Sequence, residues 1–228
     1  MFQKSVWDLF FPPKCASCNR GGKWFCDGCK AQLKPIKTSI CFGCGRLTED
    51  FKICKRCRYK FKFSRCFVGC VWREGILRKI LHKYKYGRVR VLSYDLGDIL
   101  INIIKSYSCE DLIITSVPLH FKKRWQRGFN HSALLASVVT QKISGTYIEN
   151  LLIKTKPTKA QVGLSRKDRL KNLQNSFEVN LRHASAIQGR TILIIDDVIT
   201  TGATINACAD ALKRLGAKEV WGLVIAKS

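Results

Sequence analysis

The sequence predicts an α/β fold with a mostly parallel sheet, standing behind a small cysteine-rich module. Two observations predict it. Eight of the twelve cysteines fall between Cys15 and Cys57, and from Cys66 onward apolar runs alternate with amphipathic ones. That alternation lays helices over both faces of a parallel sheet through right-handed connections. A third observation marks the working edge of the sheet. The run ILIIDDVITTGAT, Ile192 to Thr204, passes from a buried strand to an acidic pair and then to small hydroxylated residues. At 228 residues the chain can bury a core of its own. The expected division is a module over residues 1–65 and an α/β domain over residues 66–228.

The cysteine spacing is Cys15-x2-Cys18, Cys26-x2-Cys29, Cys41-x2-Cys44 and Cys54-x2-Cys57, four knuckles in succession. Two thiolates at this spacing turn back onto one tetrahedral cation, and two knuckles complete a four-cysteine zinc site. Two structural zinc ions are therefore expected. The short gap inside each successive pair favours Cys15/Cys18/Cys26/Cys29 and Cys41/Cys44/Cys54/Cys57, with an interleaved arrangement left open. Gly28, Gly43 and Gly45 suit the tight turns that present thiolates. No histidine or open ligand position in this module hints at metal catalysis. Cys66, Cys70, Cys109 and Cys208 fall outside the pattern and read as buried thiols.

Forty-one Lys and Arg against sixteen Asp and Glu leave a formal charge of +25. Two four-thiolate zinc sites, each formally −2, would trim that to about +21. A field of this sign enriches polyanions, and nucleic acid is the commonest one in a cytoplasm. No segment reaches the eighteen or more uncharged apolar residues of a membrane helix. The start, MFQKSVWDLFFPPKC, lacks the cationic region, long apolar core and cleavage site of a secretory signal, and reads as a short helix or clip capped by Pro12-Pro13. A soluble, cytoplasmic protein with reduced thiols is the expectation.

In order, the domain begins with the apolar stretch CFVGCVW from Cys66. A basic amphipathic helix follows from about Glu74 to Tyr86, with Ile76, Leu77, Ile80 and Leu81 as its inward stripe. Next come a helix from about Val91 to Ser106, the strand LIITSVPL, a helix near Ser132 to Lys142, a shorter strand around Tyr147 to Ile153, and a polar loop. The strand TILIIDD, a helix from Thr204 to Leu215 and the strand EVWGLVIA close the chain. In such a sheet ligands bind at the carboxyl ends of the strands. A helix N-terminus there offers unpaired backbone N–H groups and a positive dipole end, which a phosphate satisfies. Gly202 lets the backbone close around that phosphate, and Thr200, Thr201 and Thr204 add hydroxyl donors. Asp196 and Asp197 can accept hydrogen bonds from vicinal sugar hydroxyls. Together these features describe a ribose 5-phosphate.

Over its thirteen positions ILIIDDVITTGAT resembles the motif by which type I phosphoribosyltransferases bind 5-phosphoribosyl-1-pyrophosphate (PRPP). The resemblance implies that Asp196 and Asp197 face the ribose hydroxyls, that Thr200, Thr201, Gly202, Ala203 and Thr204 hold the 5-phosphate, and that Mg2+ accompanies PRPP. The stretches VPLHFKKRWQRGFNHSALLA and QVGLSRKDRLKN, with the cysteine module and the acidic motif in this order, resemble the ComF family of competence proteins over nearly the whole chain. That likeness implies a type I phosphoribosyltransferase-like sheet with an N-terminal double zinc ribbon. It also implies a cytoplasmic bacterial protein that helps incoming single-stranded DNA during natural transformation. By analogy with the transferases, the turn after Pro118 is the pyrophosphate loop, and residues from about Lys154 to Asn172 are a mobile loop over the ligand. The chain departs from a full transferase in showing no hood for a base or amine acceptor, a part the zinc module could replace. No catalytic residue is assigned.

Basic residues cluster with aromatics at 73–90, 122–127 and 166–171. Lys83, Lys85, Arg88, Lys122, Lys123 and Arg124 are candidate phosphate contacts, and Tyr84, Tyr86, Trp125 and Phe129 are candidate faces for unpaired bases. The leading expectation is handling of single-stranded DNA in DNA uptake, with other DNA-uptake proteins as candidate partners. Two readings compete with it: an active phosphoribosyltransferase for an amine or base, and a regulator that senses PRPP.

Overall fold

The computed structural model describes residues 12–72, 75–107, 109–155 and 176–228. Its strands are β1 (Arg65–Val71), β2 (Leu112–Ser116), β3 (Thr146–Tyr147), β4 (Leu152–Lys154), β5 (Phe177–Val179), β6 (Thr191–Ile199) and β7 (Glu219–Lys227). Its longer helices are α1 (Ile76–Tyr86), α2 (Leu92–Ile104), α3 (Phe121–Arg127), α4 (His131–Thr140) and α5 (Ala203–Arg214). Five strands form one sheet in the order β1-β7-β6-β2-β3, every pair parallel. β4 and β5 pair antiparallel as a separate ribbon.

A parallel sheet covered on both faces needs central strands that are apolar on both sides. β6 meets this with Ile192, Leu193, Ile194 and Ile195, all fully buried. Alternate residues serve opposite layers. Ile192 and Ile194 join Ile205, Cys208 and Leu212 of α5, while Leu193 and Ile195 join Leu96 and Leu100 of α2 and Leu135 of α4. The cysteine module divides between the same two layers. Phe42, Phe61 and Phe63 enter the α5 layer, and Cys15, Phe25 and Cys29 enter the α2 layer.

Apart from shifts of a residue or two at helix ends, the structure differs from the expected elements in three places. The single strand expected around Tyr147 to Ile153 is two strands, because Asn150 adopts a left-handed conformation (φ 58°) between β3 and β4. The segment after Pro118 holds an additional helix, α3. β6 also continues two residues beyond Asp197, held by β7 through Val198↔Ala226 and Ile199↔Lys227. Most of the expected mobile loop, residues 156–172, and the expected N-terminal clip, residues 1–11, lie outside the described residues. Among the described residues no helix is long and apolar enough to cross a membrane.

β1 approaches α2 closely at Gly69. A Cβ there would lie 2.6 Å from Ile99 Cγ2 and 3.1 Å from the Ile225 carbonyl oxygen. Gly69→Ala is therefore expected to destabilise the domain by about 1–3 kcal/mol. Urea unfolding reads this directly, and an unshifted midpoint would contradict the packing described.

Candidate functional site

The eight knuckle cysteines gather into two sets, Cys15/Cys18/Cys26/Cys29 and Cys41/Cys44/Cys54/Cys57, with the sulfurs of each set within 4.8 Å of one another. The pairing is thus sequential. Both sets are built by the same local geometry. Cys15 N–H donates to Arg20 O and Asn19 N–H to Cys15 O, while Cys41 N–H donates to Arg46 O and Gly45 N–H to Cys41 O. Each turn places the fifth residue from its opening cysteine in the left-handed region, Asn19 at φ 62° and Gly45 at φ 74°.

The donor sets suit zinc. Sulfurs about 2.3 Å from a tetrahedral ion lie about 3.8 Å apart, and the Cys18–Cys26 and Cys44–Cys54 sulfurs are both 3.6 Å apart. Against the desolvation that raises it, backbone N–H groups of Cys26, Cys18 and Ser17 pull the Cys15 thiol down to about 6. Burial and neighbouring thiols push Cys29 up to about 12. Cys41 and Cys57 repeat this contrast. Thiols this close cannot all ionise without a cation among them, so a dication would bind with release of protons. Cys66, Cys70, Cys109 and Cys208 are buried and lie outside both sets.

The acidic pair sits where the sheet opens. β2 and β6 run together as far as Ser116↔Ile195, and beyond that register β6 is paired only with β7. Asp196 and Asp197 occupy the next two positions, facing the gap left by β2. Asn130 caps α4 by accepting from Ser132 N–H and Ala133 N–H, and its amide donates to Val117 O. That cap sets the first turn of α4 against the gap, and Ser132 Oγ donates to Asp196 Oδ1 at 2.8 Å. Asp197 is bound by Lys85 Nζ at 2.8 Å. Lys85 is held from its backbone: Tyr84 donates from its hydroxyl to His131 O, and His131 Nε2 lies 3.1 Å from Lys85 O. That carbonyl only accepts, so Nε2 carries the ring proton. Burial, then Arg127, pushes His131 down to about 4 and keeps it neutral.

Burial and the charge of Asp197 push the Asp196 carboxyl up to about 7, against the Ser132 hydroxyl and Lys85, which favour the anion. The next turn completes the site. Gly202 is the N-cap of α5 at φ 81°, Ala203 N–H is 3.4 Å from Thr201 Oγ1, and Asn206 N–H closes the first turn on Gly202 O. α5 begins at Ala203, one residue earlier than expected. The result is two carboxylates and one ammonium beside a helix N-terminus, an arrangement suited to a ligand carrying both hydroxyls and a phosphate.

The basic candidates divide. Lys83, Arg88 and Arg124 are exposed, with the Lys83 ammonium 5.5 Å from the Trp24 ring centroid. Lys85, expected on that same outer surface, turns inward to Asp197 instead. Lys122 and Lys123 lie on α3, and their side chains fall outside the described residues. Of the aromatic candidates, Tyr86 and Trp125 are 58% and 84% exposed, whereas Tyr84 and Phe129 are core. The Tyr84 placement was readable, since Leu77, Ile80, Leu81 and Tyr84 follow the i, i+3, i+4, i+7 spacing of one helix face. The pocket roles of Lys85 and Ser132 had no comparable signal.

Two tests follow from this geometry. Zinc-loaded protein should carry two zinc ions per chain by elemental analysis, and chelation should unfold the ribbons, because binding and folding at such sites are linked by on the order of 10 kcal/mol. Asp196 gives a pH signature. Its folded value, raised from 3.8 to about 7, means that the ionised carboxylate opposes folding. The contribution to stability is full below about pH 4 and is lost as pH rises through 7. Asp196→Asn should therefore stabilise the domain at pH 8 by on the order of 3 kcal/mol, with the gain growing towards pH 7 and levelling above it. A variant no more stable than the parent in unfolding titrations at pH 8 would refute the burial of a costly charge.

Known proteins share these features. Residues 6–58 match a double zinc ribbon domain, and residues 135–227 match a phosphoribosyl transferase domain. Competence protein F of Haemophilus influenzae is 27% identical to the chain, over 87% of this chain and 95% of that protein. The DNA utilization protein YhgH of Escherichia coli K12 is 31% identical, over 94% of this chain and 98% of its own length. A solved structure of the allosteric regulatory enzyme of purine biosynthesis aligns at 18% identity and a TM-score of 0.41, over 63% of this chain and 29% of that longer one. With a double zinc ribbon ahead of a phosphoribosyltransferase-type sheet and relatedness along nearly its whole length, the chain belongs to the family of Competence protein F and DNA utilization protein YhgH.

Proposed function

We propose that the protein handles single-stranded DNA during DNA uptake, in the cytoplasm, and holds PRPP with Mg2+ in the pocket of Asp196 and Asp197. The observation that carries the reading is kinship along most of the chain with Competence protein F and YhgH in a chain of net charge +25. The DNA surface runs over the C-terminal end of α1 and onto α3, through Lys83, Arg88 and Arg124, with Lys122 and Lys123 as further candidates. Tyr86 and Trp125 are the rings available for unpaired bases. In the pocket, Asp196 and Asp197 accept the ribose hydroxyls and residues 200–204 take the 5-phosphate. A reducing compartment suits eight thiols that must stay available to metal.

The match of residues 135–227 to a phosphoribosyl transferase domain favours a second reading, transfer of phosphoribose to an amine or base. One purified, zinc-loaded sample separates the two. On the first reading it binds single-stranded oligonucleotides with little sequence preference, and log affinity falls linearly with log salt at about −0.7 per phosphate contact. Lys83→Glu with Arg124→Glu makes that slope shallower. Asp196→Asn with Asp197→Asn leaves DNA binding in place but weakens PRPP by roughly 1.5–3 kcal/mol for each charge-assisted hydrogen bond lost. Protein that ignores oligonucleotides at low salt, yet consumes PRPP in the presence of an amine or base, would overturn the DNA reading in favour of the enzyme.

A further inference from the structure

The two cysteine clusters are alike in themselves and unlike in what they touch. Contacts of the first ribbon fall on α1 and α2: Lys79 Nζ donates to Ser17 O, Lys83 stands over Trp24, and Lys30 pairs with Asp95. The second ribbon lies against the turn at the N-terminus of α5. Phe42, adjacent to Cys41, is 5% exposed, and a Cβ on Gly202 would lie 2.8 Å from its Cε1 and 3.4 Å from Phe61 Cε1. Phe42 and Phe61 meet edge to face with centroids 5.5 Å apart. Gly43 is backed directly on the cluster, since a Cβ there would lie 2.9 Å from Cys57 Sγ.

Three polar contacts fasten the same junction. Lys227 Nζ donates to Phe42 O at 2.8 Å, and the ammonium lies 4.5 Å from the centroid of that ring. Lys62 N–H donates to Asn206 Oδ1 at 2.6 Å, and Asn206 N–H in turn closes on Gly202 O. Ser228 N–H holds the end of β6 at Ile199 O. A glycine at positive φ has many alternatives open to it. The rings of the second ribbon form a wall that this turn cannot cross, and the first ribbon supplies no such wall among the described residues.

We infer that Phe42 is a positioning residue for the 202–204 turn, so that the second cluster, and not the first, is coupled to the anion pocket. This rests on reading that turn as the 5-phosphate cradle. The ring keeps Gly202 in the one conformation that points the first N–H groups of α5 at an anion, and Cys41 and Cys57 keep the ring in place. A turn already ordered loses less entropy on binding.

The test is amide hydrogen exchange of residues 200–206 in ligand-free, zinc-loaded protein, with PRPP calorimetry on the same samples. Phe42→Ala should exchange this segment about tenfold faster while elemental analysis still gives two zinc ions, and should weaken PRPP about tenfold. Phe42→Leu should recover most of both effects. Tyr59→Ala, which removes an 81% exposed ring of the same ribbon, should match the parent. Lys227→Met loosens Phe42 without altering the ribbon's apolar core, so it should also speed exchange, and it carries the test alone if Phe42→Ala loses a metal ion. Unchanged exchange in both zinc-loaded variants overturns the inference. Failure of the parent to bind PRPP would instead remove the ligand reading, while exchange would still decide the coupling.

Discussion

Two carboxylates side by side near the end of a central strand are the constraint around which the domain is arranged. A buried charge without partners is among the most costly features a core can hold, and Asp196 and Asp197 add mutual repulsion to it. The fold answers from two directions. α4 brings Ser132 to Asp196, and α1 brings Lys85 to Asp197. The Asn130 cap and the Tyr84–His131–Lys85 links hold both helices in place. One ammonium between two acids leaves the pocket short of cation. The imbalance shows in Asp196, whose carboxyl is pushed up to about 7.

That arrangement also ties surface to pocket. Lys85 lies in the last turn of α1 between Tyr84, which is core, and Tyr86, which is exposed beneath the Arg127 guanidinium. Successive residues of one helical turn thus face the interior, the acid pair and the solvent. A polyanion bound along the outer side of α1 and a small ligand bound at Asp197 would each bear on the same turn, and any such influence must be reciprocal. The acid pair and the exposed end of α1 are therefore neighbours, joined through Lys85.

What could be read in the sequence was whatever depended on neighbours along the chain. The knuckles are local, with two residues between thiolates, so both clusters were legible; their pairing needed the folded chain. Ile192 to Ile195 and the turn at Gly202 were legible for the same reason, as an apolar run followed by small residues. α3 was not, because the one apolar pair of FKKRWQR, Phe121 and Trp125, is exposed and no buried stripe marks the helix. Lys85 and Ser132 were beyond reach in another sense. Their partners lie 112 and 64 positions away, and nothing in the composition of either helix separates a pocket lysine from a surface one. Reading Tyr84 as a stacking face was an avoidable error, since its spacing from Leu77 already placed it inward.

The two ribbons show how a repeated local motif can acquire unequal roles. Each is closed by the same pair of backbone hydrogen bonds and each gathers four thiols, so a metal would contribute comparably to the folding of either. The difference lies in the residue after the first cysteine of each ribbon. Ala16 follows Cys15 and is only partly buried, whereas Phe42 follows Cys41 and reaches across to Gly202. A methyl group ends at the ribbon's own surface; a phenyl ring extends its order into the next element. On the coupling inferred above, loss of metal from the second ribbon would disturb the turn that begins α5, while loss from the first would bear on α1 and α2. The same four-cysteine geometry thereby meets different neighbours, the turn that begins α5 at the second ribbon and α1 with α2 at the first.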